Sequence, residues 1–161
     1  MRKPATRLYA ARLTRFIETE FHARHRAQLL ELVALSEKVE ALHAGEPKVP
    51  AGLGQLLCRM VEELEVHMKK EELILFPAIR RNAALLDPLI AEVRADHDDH
   101  KAEVGQIMRL TDHQALAKGA CRRWMQLYAG IGAFLDDLLE HIRLENEVLF
   151  PHFETKQAGH A

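Results

Sequence analysis

The chain has 161 residues, enough for one domain that buries roughly 70% of its unfolded surface without covalent staples. Its 22 Lys and Arg nearly balance 24 Asp and Glu, and the net charge of −2 gives no broad basic field for nucleic acid or anionic lipid. No apolar run approaches the roughly 18 residues that span a bilayer, and the scattered Cys58 and Cys121 suggest neither a disulfide framework nor a thiolate metal site.

The opening "MRKPATRLYAARLTRF" is Arg-rich but has no signal-peptide apolar core, and a cytoplasmic location is expected. Leu8, Leu13, Phe16 and Ile17 recur at helical spacing, so a first helix is predicted from about Ala5 to Leu42. It stops in "HAGEPKVPAG", where Gly45, Pro47, Pro50 and Gly52 mark a loop. A second helix runs to about Arg80, with Pro77 expected to kink or end it because proline lacks an N–H and its ring meets the preceding turn. Asp87 followed by Pro88 reads as an N-cap opening a third helix, which ends near Thr111. The fourth helix is predicted from about Lys118 to Phe153, again with a late proline, Pro151. Four long helices with short connections predict an all-α antiparallel four-helix bundle in one domain over 1–161, its core at about 5–153 and a short C-terminal tail.

Histidine is the compositional outlier, and its placement is repetitive. "HMKKEELILFP" at His67 to Pro77 returns as "HIRLENEVLFP" at His141 to Pro151, so that one offset carries His67 onto His141 and Glu71 onto Glu145. An offset longer by a single position carries His22 onto His97 and His25 onto His100. The bundle is therefore read as two similar helical hairpins about a pseudo-twofold axis. Each has H-x-x-H in its first helix and H-x-x-x-E in its second.

Residues four apart share a helix face, so His67 with Glu71, and His141 with Glu145, each present a nitrogen and a carboxylate to one point. Leu64, Ile74 and Leu75 flank the first pair, and Leu138, Val148 and Leu149 the second, which marks this face as inward. Buried imidazoles and carboxylates without partners cost several kcal/mol, and a metal is the usual remedy. Counting from a turn near Pro47 puts His22 at the height of His67 and Glu71. His43, farther along the same helix by about 31 Å if that helix is straight, stays far from them.

The expected ligands are His22, His67, Glu71, His97, His141 and Glu145. Nitrogen and carboxylate donors without thiolate suit iron or manganese. Two ions about 3.5–4 Å apart, each with two histidines and both bridged by the two glutamates, use the set completely. An added oxide or hydroxide bridge would make each five-coordinate with one open position. His25 and His100 are read as standing behind the ligands or on the surface, and Glu63 and Asp137 as rim charges more than as partners of ligating histidines. His113, His152 and His160 read as loop or tail residues. Cys58, Cys121, Trp124, Tyr128, Met60 and Met68 read as packing residues, the cysteines buried.

These motifs, with the "EELILFP" and "LENEVLFP" endings and the upstream His22 and His97, resemble the hemerythrin-like cation-binding domains, and within them the di-iron iron-sulfur cluster repair proteins. The resemblance covers about Glu18 to Phe153. It implies a non-haem centre of two iron ions, oxo- or hydroxo-bridged, held by the six residues above. It also implies a role in nitrosative and oxidative stress, either donating iron to damaged clusters of iron-sulfur proteins or handling nitric oxide. Oxygen-carrying hemerythrins have five histidines, with H-x-x-x-H and H-x-x-x-x-D in the third and fourth helices. Here the third helix has His97-x-x-His100, and Asn146 stands where the carriers' aspartate would fall. Oxygen binding or redox sensing is thus the second expectation. The repair proteins commonly carry a small N-terminal domain with adjacent cysteines, which this chain is expected to lack.

Overall fold

The computed structural model describes residues 4–155, so His160 lies outside the described residues. Four helical rods account for the architecture, and no strand occurs among the described residues. The first, α1, spans 4–42 as Pro4–Phe16, a π-helical turn Ile17–His22, and Ala23–Leu42. The second, α2, spans 53–80 as Leu53–Lys70, a π-helical turn Glu71–Leu75, and Phe76–Arg80. The third, α3, is the uninterrupted Asp87–Leu110. The fourth, α4, spans 122–152 as Arg122–Arg143, a π-helical turn Leu144–Leu149, and a terminal 3₁₀ turn Phe150–His152. The rods form the expected bundle, with α1 packed along both α2 and α4.

Local sequence explains most boundaries. Gly45 and Gly52 take φ of +80° and +88°, a region open to glycine at little cost, and close the α1–α2 loop. The carboxylate of Glu40 accepts hydrogen bonds from the Gly52 and Gly54 amides, 2.6 and 2.9 Å away, and so holds the free N-terminus of α2. The α3 start differs from expectation. Leu86 is the N-cap residue and the helix has no side-chain cap. The Asp87 carboxylate instead accepts from the Thr155 amide and hydroxyl at 2.6 and 2.7 Å, tying the end of the chain's described part to α3. Helix α4 begins at Arg122, later than the predicted Lys118, because Asp112, His113, Gln114 and Gly119 all take positive φ and hold the connection out of helix.

Neither Pro77 nor Pro151 ends its helix at once. In each case the turn before it is widened: the Phe76 amide bonds the Glu71 carbonyl, and the Phe150 amide bonds the Glu145 carbonyl, both five positions back. The widening also shifts side-chain direction. Leu75 is fully buried as expected, but Ile74 points outward at 55% exposure. In the opening helix Ala10, Leu13 and Ile17 bury, whereas Leu8 and Phe16 stay about half exposed.

Two apolar layers fill the bundle. One, around Leu29, Leu57, Met60, Leu127 and Phe134, lies toward the α1–α2 loop and includes Trp124, Tyr128 and Met68. The other, around Ile17, Phe76, Ile90, Val93 and Phe150, fills the opposite end. Cys58 is exposed and Cys121 half-buried, contrary to the expectation of two buried cysteines. The inward stripe of α2 is Leu53, Leu56, Leu57, Met60 and Leu64, and Cys58 falls outside it.

Candidate metal centre

A polar layer separates the two apolar ones, and all four helices supply it. His22, at the end of the α1 π-helical turn, His67 and Glu71 on α2, His97 on α3, and His141 and Glu145 on α4 are all buried to 2% exposure or less. The structure brings all six predicted ligand residues together.

Their donor atoms sort into two groups. Glu71 Oε2 lies 3.1 Å from His22 Nε2 and 3.9 Å from His141 Nε2. Glu71 Oε1 lies 3.2 Å from His67 Nε2 and 3.8 Å from His97 Nε2. Glu145 divides in the same way, with Oε1 3.0 Å from His141 Nε2 and Oε2 3.0 Å from His97 Nε2. The atoms of His22, Glu71, His141 and Glu145 all fall within 4.8 Å of one another, as do those of His67, Glu71, His97 and Glu145. Each group takes one histidine from each hairpin, and the pseudo-twofold relation that exchanges His22 with His97 and His67 with His141 exchanges the two groups.

The donor set fits a cation pair. The Nε2 atoms of His22, His67 and His97, both Glu71 oxygens and Glu145 Oε2 are buried without a hydrogen-bond partner. Two carboxylates removed from water cost several kcal/mol each unless opposite charge compensates. Burial and the facing carboxylate would raise Glu71, but the surrounding histidines, His67 foremost, hold it below its usual range. Burial would likewise raise Glu145, and His97 holds it down.

The outward Nδ1 atoms show how the rings are fixed with Nε2 inward. Glu72 Oε1 lies 2.8 Å from His22 Nδ1 and also takes Arg26 at 2.9 Å. Asp96 Oδ2 lies 3.1 Å from His67 Nδ1 and takes Lys70 at 2.9 Å. Asn146 Oδ1 lies 2.8 Å from His97 Nδ1. The fourth partner is a histidine, His25, whose Nε2 lies 3.1 Å from His141 Nδ1. Burial, then the neighbouring His141, pushes His25 down to about 3, so it stays neutral and can accept the Nδ1–H. Such partners fix the tautomer and raise ligand basicity.

Sequence reasoning missed Glu72, Asp96 and Asn146 in this role. The repeat carried a usable signal for two of them, since Glu72 and Asn146 each directly follow a predicted glutamate ligand and so occupy matching places in the two copies of the motif. Among the described residues, Glu63 and Asp137 make no hydrogen bond or ion pair with any of the four candidate histidines. Asp137 accepts from Arg24 and Gln28, and Glu63 pairs with Arg59 and Glu103. His100 packs edge-on against His67 at 5.0 Å between ring centroids and bonds Glu103 through Nδ1. His113 and His152 are exposed. His43 sits at the α1–α2 loop, outside both donor groups.

The symmetry of the outer layer is incomplete. His141 is backed by neutral His25 and stacks on Phe21 at 5.7 Å, while the equivalent His67 is backed by the carboxylate of Asp96. On the His67 side a cleft of about 410 Å³ opens between α2 and α3, with Glu62, Glu63, Asp96 and Asp99 among its walls. No helix among the described residues is long and apolar enough to cross a membrane.

The sequence profile of the hemerythrin HHE cation binding domain matches residues 16–153. The iron-sulfur cluster repair proteins YtfE of Yersinia pseudotuberculosis serotype O:1b (strain IP 31758) and of Yersinia pestis (strain Pestoides F) are each 44% identical to this chain over 140 residues. The aligned part covers 86% of this chain and 63% of each relative, so the chain spans less than two thirds of their length.

Proposed function

The chain belongs to the hemerythrin HHE cation-binding domain family, and from that premise we propose that it is a cytoplasmic, non-haem di-iron protein of nitrosative and oxidative stress. His22, His67, Glu71, His97, His141 and Glu145 would hold the two ions, Glu71 and Glu145 being shared by both donor groups. The protein's task is to donate iron to damaged iron-sulfur clusters or to bind nitric oxide. The observation that carries this reading is the pair of donor groups that share Glu71 and Glu145. The naming of similar proteins as iron-sulfur cluster repair proteins supports the choice of task.

When bound, an iron pair supplies redox change and open coordination positions toward a small diatomic ligand. The protein's own residues supply the rest. Glu72, Asp96, Asn146 and His25 keep the Nδ1 protons outward and the Nε2 lone pairs inward. The two apolar layers exclude water above and below the centre. The cleft beside His67 has the carboxylates of Glu62, Glu63, Asp96 and Asp99 in its walls, which suit the approach of a cation.

The test is anaerobic reconstitution with ferrous iron, followed by metal analysis, nitric oxide titration and iron transfer to an apo iron-sulfur protein. Two irons per chain, nitric oxide binding by the reduced protein and transfer of iron to the acceptor are expected. One zinc with no second ion after iron reconstitution would overturn the proposal, and a stable reversible oxygen complex would replace the repair role with oxygen binding.

A further inference from the structure

A second cluster of reactive side chains lies at the loop end of the bundle, beyond the apolar layer around Trp124. His43, the residue that closes α1, places Nε2 3.1 Å from Cys121 Sγ and Nδ1 2.9 Å from a Glu46 carboxylate oxygen. Cys121 is the N-cap of α4, far from His43 in the chain, so the contact is made by the fold and not by local sequence. The His43 ring is packed against Trp124 at 4.8 Å between centroids, which restricts its rotation. A cleft of about 440 Å³ opens beside the thiol, lined by Leu42, Cys121, Arg122, Arg123 and Gln126. Both arginines are exposed, and neither is paired with a carboxylate among the described residues.

We propose that Cys121 is a reactive thiol that exchanges with low-molecular-weight disulfides bearing carboxylates, with His43 as its base and Glu46 as the positioning residue for His43. The arrangement has the three parts an activated thiol needs: a nucleophile, a base within hydrogen-bond reach, and a group that orients the base. His43, then the Trp124 and Arg123 amides, lower the thiol below its ordinary range, as expected at a helix N-terminus. Arg122 and Arg123 supply the charge that would hold an anionic disulfide in the cleft.

The step balances without a further oxidant. The Cys121 proton passes to His43, and Sγ attacks one sulfur of the disulfide. An Sγ–S bond forms, the original S–S bond breaks, and the departing thiolate takes the proton from His43. The products are a mixed disulfide on Cys121 and one free small thiol, and excess thiol reverses the reaction.

Cys58, exposed on α2, is the internal reference. The iron-loaded protein is treated with oxidised glutathione at neutral pH, and modification of each cysteine is followed by mass spectrometry. Cys121 should react at least about threefold faster than Cys58, since the gain in thiolate fraction is partly offset by the lower nucleophilicity of a more acidic thiol. His43→Ala and Glu46→Gln should each remove that advantage and reduce the ultraviolet thiolate absorbance, a signature that a purely structural contact would not carry. Arg122→Ala with Arg123→Ala should slow oxidised glutathione but leave neutral hydroxyethyl disulfide unchanged. Iron content should be the same throughout. Equal rates at Cys58 and Cys121 overturn the proposal. So does an unchanged rate in Glu46→Gln, a variant that keeps the size of the side chain but removes the negative charge facing His43 Nδ1, should His43→Ala fail to fold.

Discussion

His25 Nε2 lies 3.1 Å from His141 Nδ1, with both rings buried and stacked 5.3 Å apart. Among the described residues no carboxylate stands behind His141 Nδ1, so this contact is what turns its Nε2 toward the donor group of His22, Glu71 and Glu145. His25→Phe should fill the space but remove the acceptor, weakening metal retention roughly 10–100-fold. His100→Phe should do much less, because Asp96 already holds the equivalent His67. Chelator competition on both variants checks this, and equal losses would contradict the assigned roles.

The two glutamates, proposed as bridges, should behave unlike the histidines. Glu71 and Glu145 belong to both donor groups and His22 to one. Glu71→Ala or Glu145→Ala should therefore lose both irons, whereas His22→Ala should lose mainly one. Iron per chain after desalting decides it, and a uniform response across the six ligand positions would count against bridging.

Helix lengths and the clustering of the six candidate residues were legible in the sequence because both rest on periodicity: apolar steps of three and four, His-Glu pairs at four, and a hairpin motif written twice at a nearly constant offset. The π-helical turns were not legible, since each is a change of hydrogen-bond register that packing within the bundle supports. They explain why Ile74, inward on a regular helix, faces solvent. Glu72 was missed for a related reason. It lies about 100° from Glu71 on a regular helix, yet it reaches His22 on the neighbouring rod. The contact between Cys121 and His43 joins distant parts of the chain and has no local pattern.

Glu63 and Glu103 predict a pH dependence of stability. The Glu63 carboxyl is pushed up to about 7 by its hydrogen bond to Glu103, with burial and the Glu103 charge adding to this. Glu103 accepts from His100 Nδ1, so the shared proton rests on Glu63. A raised carboxyl binds more protons folded than unfolded, so this contribution is present at acid pH and lost as pH rises from about 4.5 to about 7. Glu63→Gln should leave thermal stability near wild type at pH 5 and exceed it at pH 8. The gain should be small, because the side chain is 47% exposed and solvent screens it. Parallel melting curves across that range would show that the pair does not share a proton.

The last prediction separates two kinds of centre through His43. Both of its nitrogens are engaged away from the metal layer, Nδ1 by Glu46 and Nε2 by Cys121. A five-histidine oxygen carrier needs a fifth ring at the centre, and here His25 and His100 stand behind ligands or beside them rather than within either donor group. His43→Ala should therefore keep two irons and bind nitric oxide as the unaltered protein does, and both proteins should oxidise in air without a long-lived oxygen complex. Stopped-flow spectra of the two reduced proteins mixed with oxygen provide the check. A stable, reversible oxygen complex that His43→Ala abolished would require the α1–α2 loop to fold back onto the centre, and would overturn the four-histidine assignment together with the repair reading.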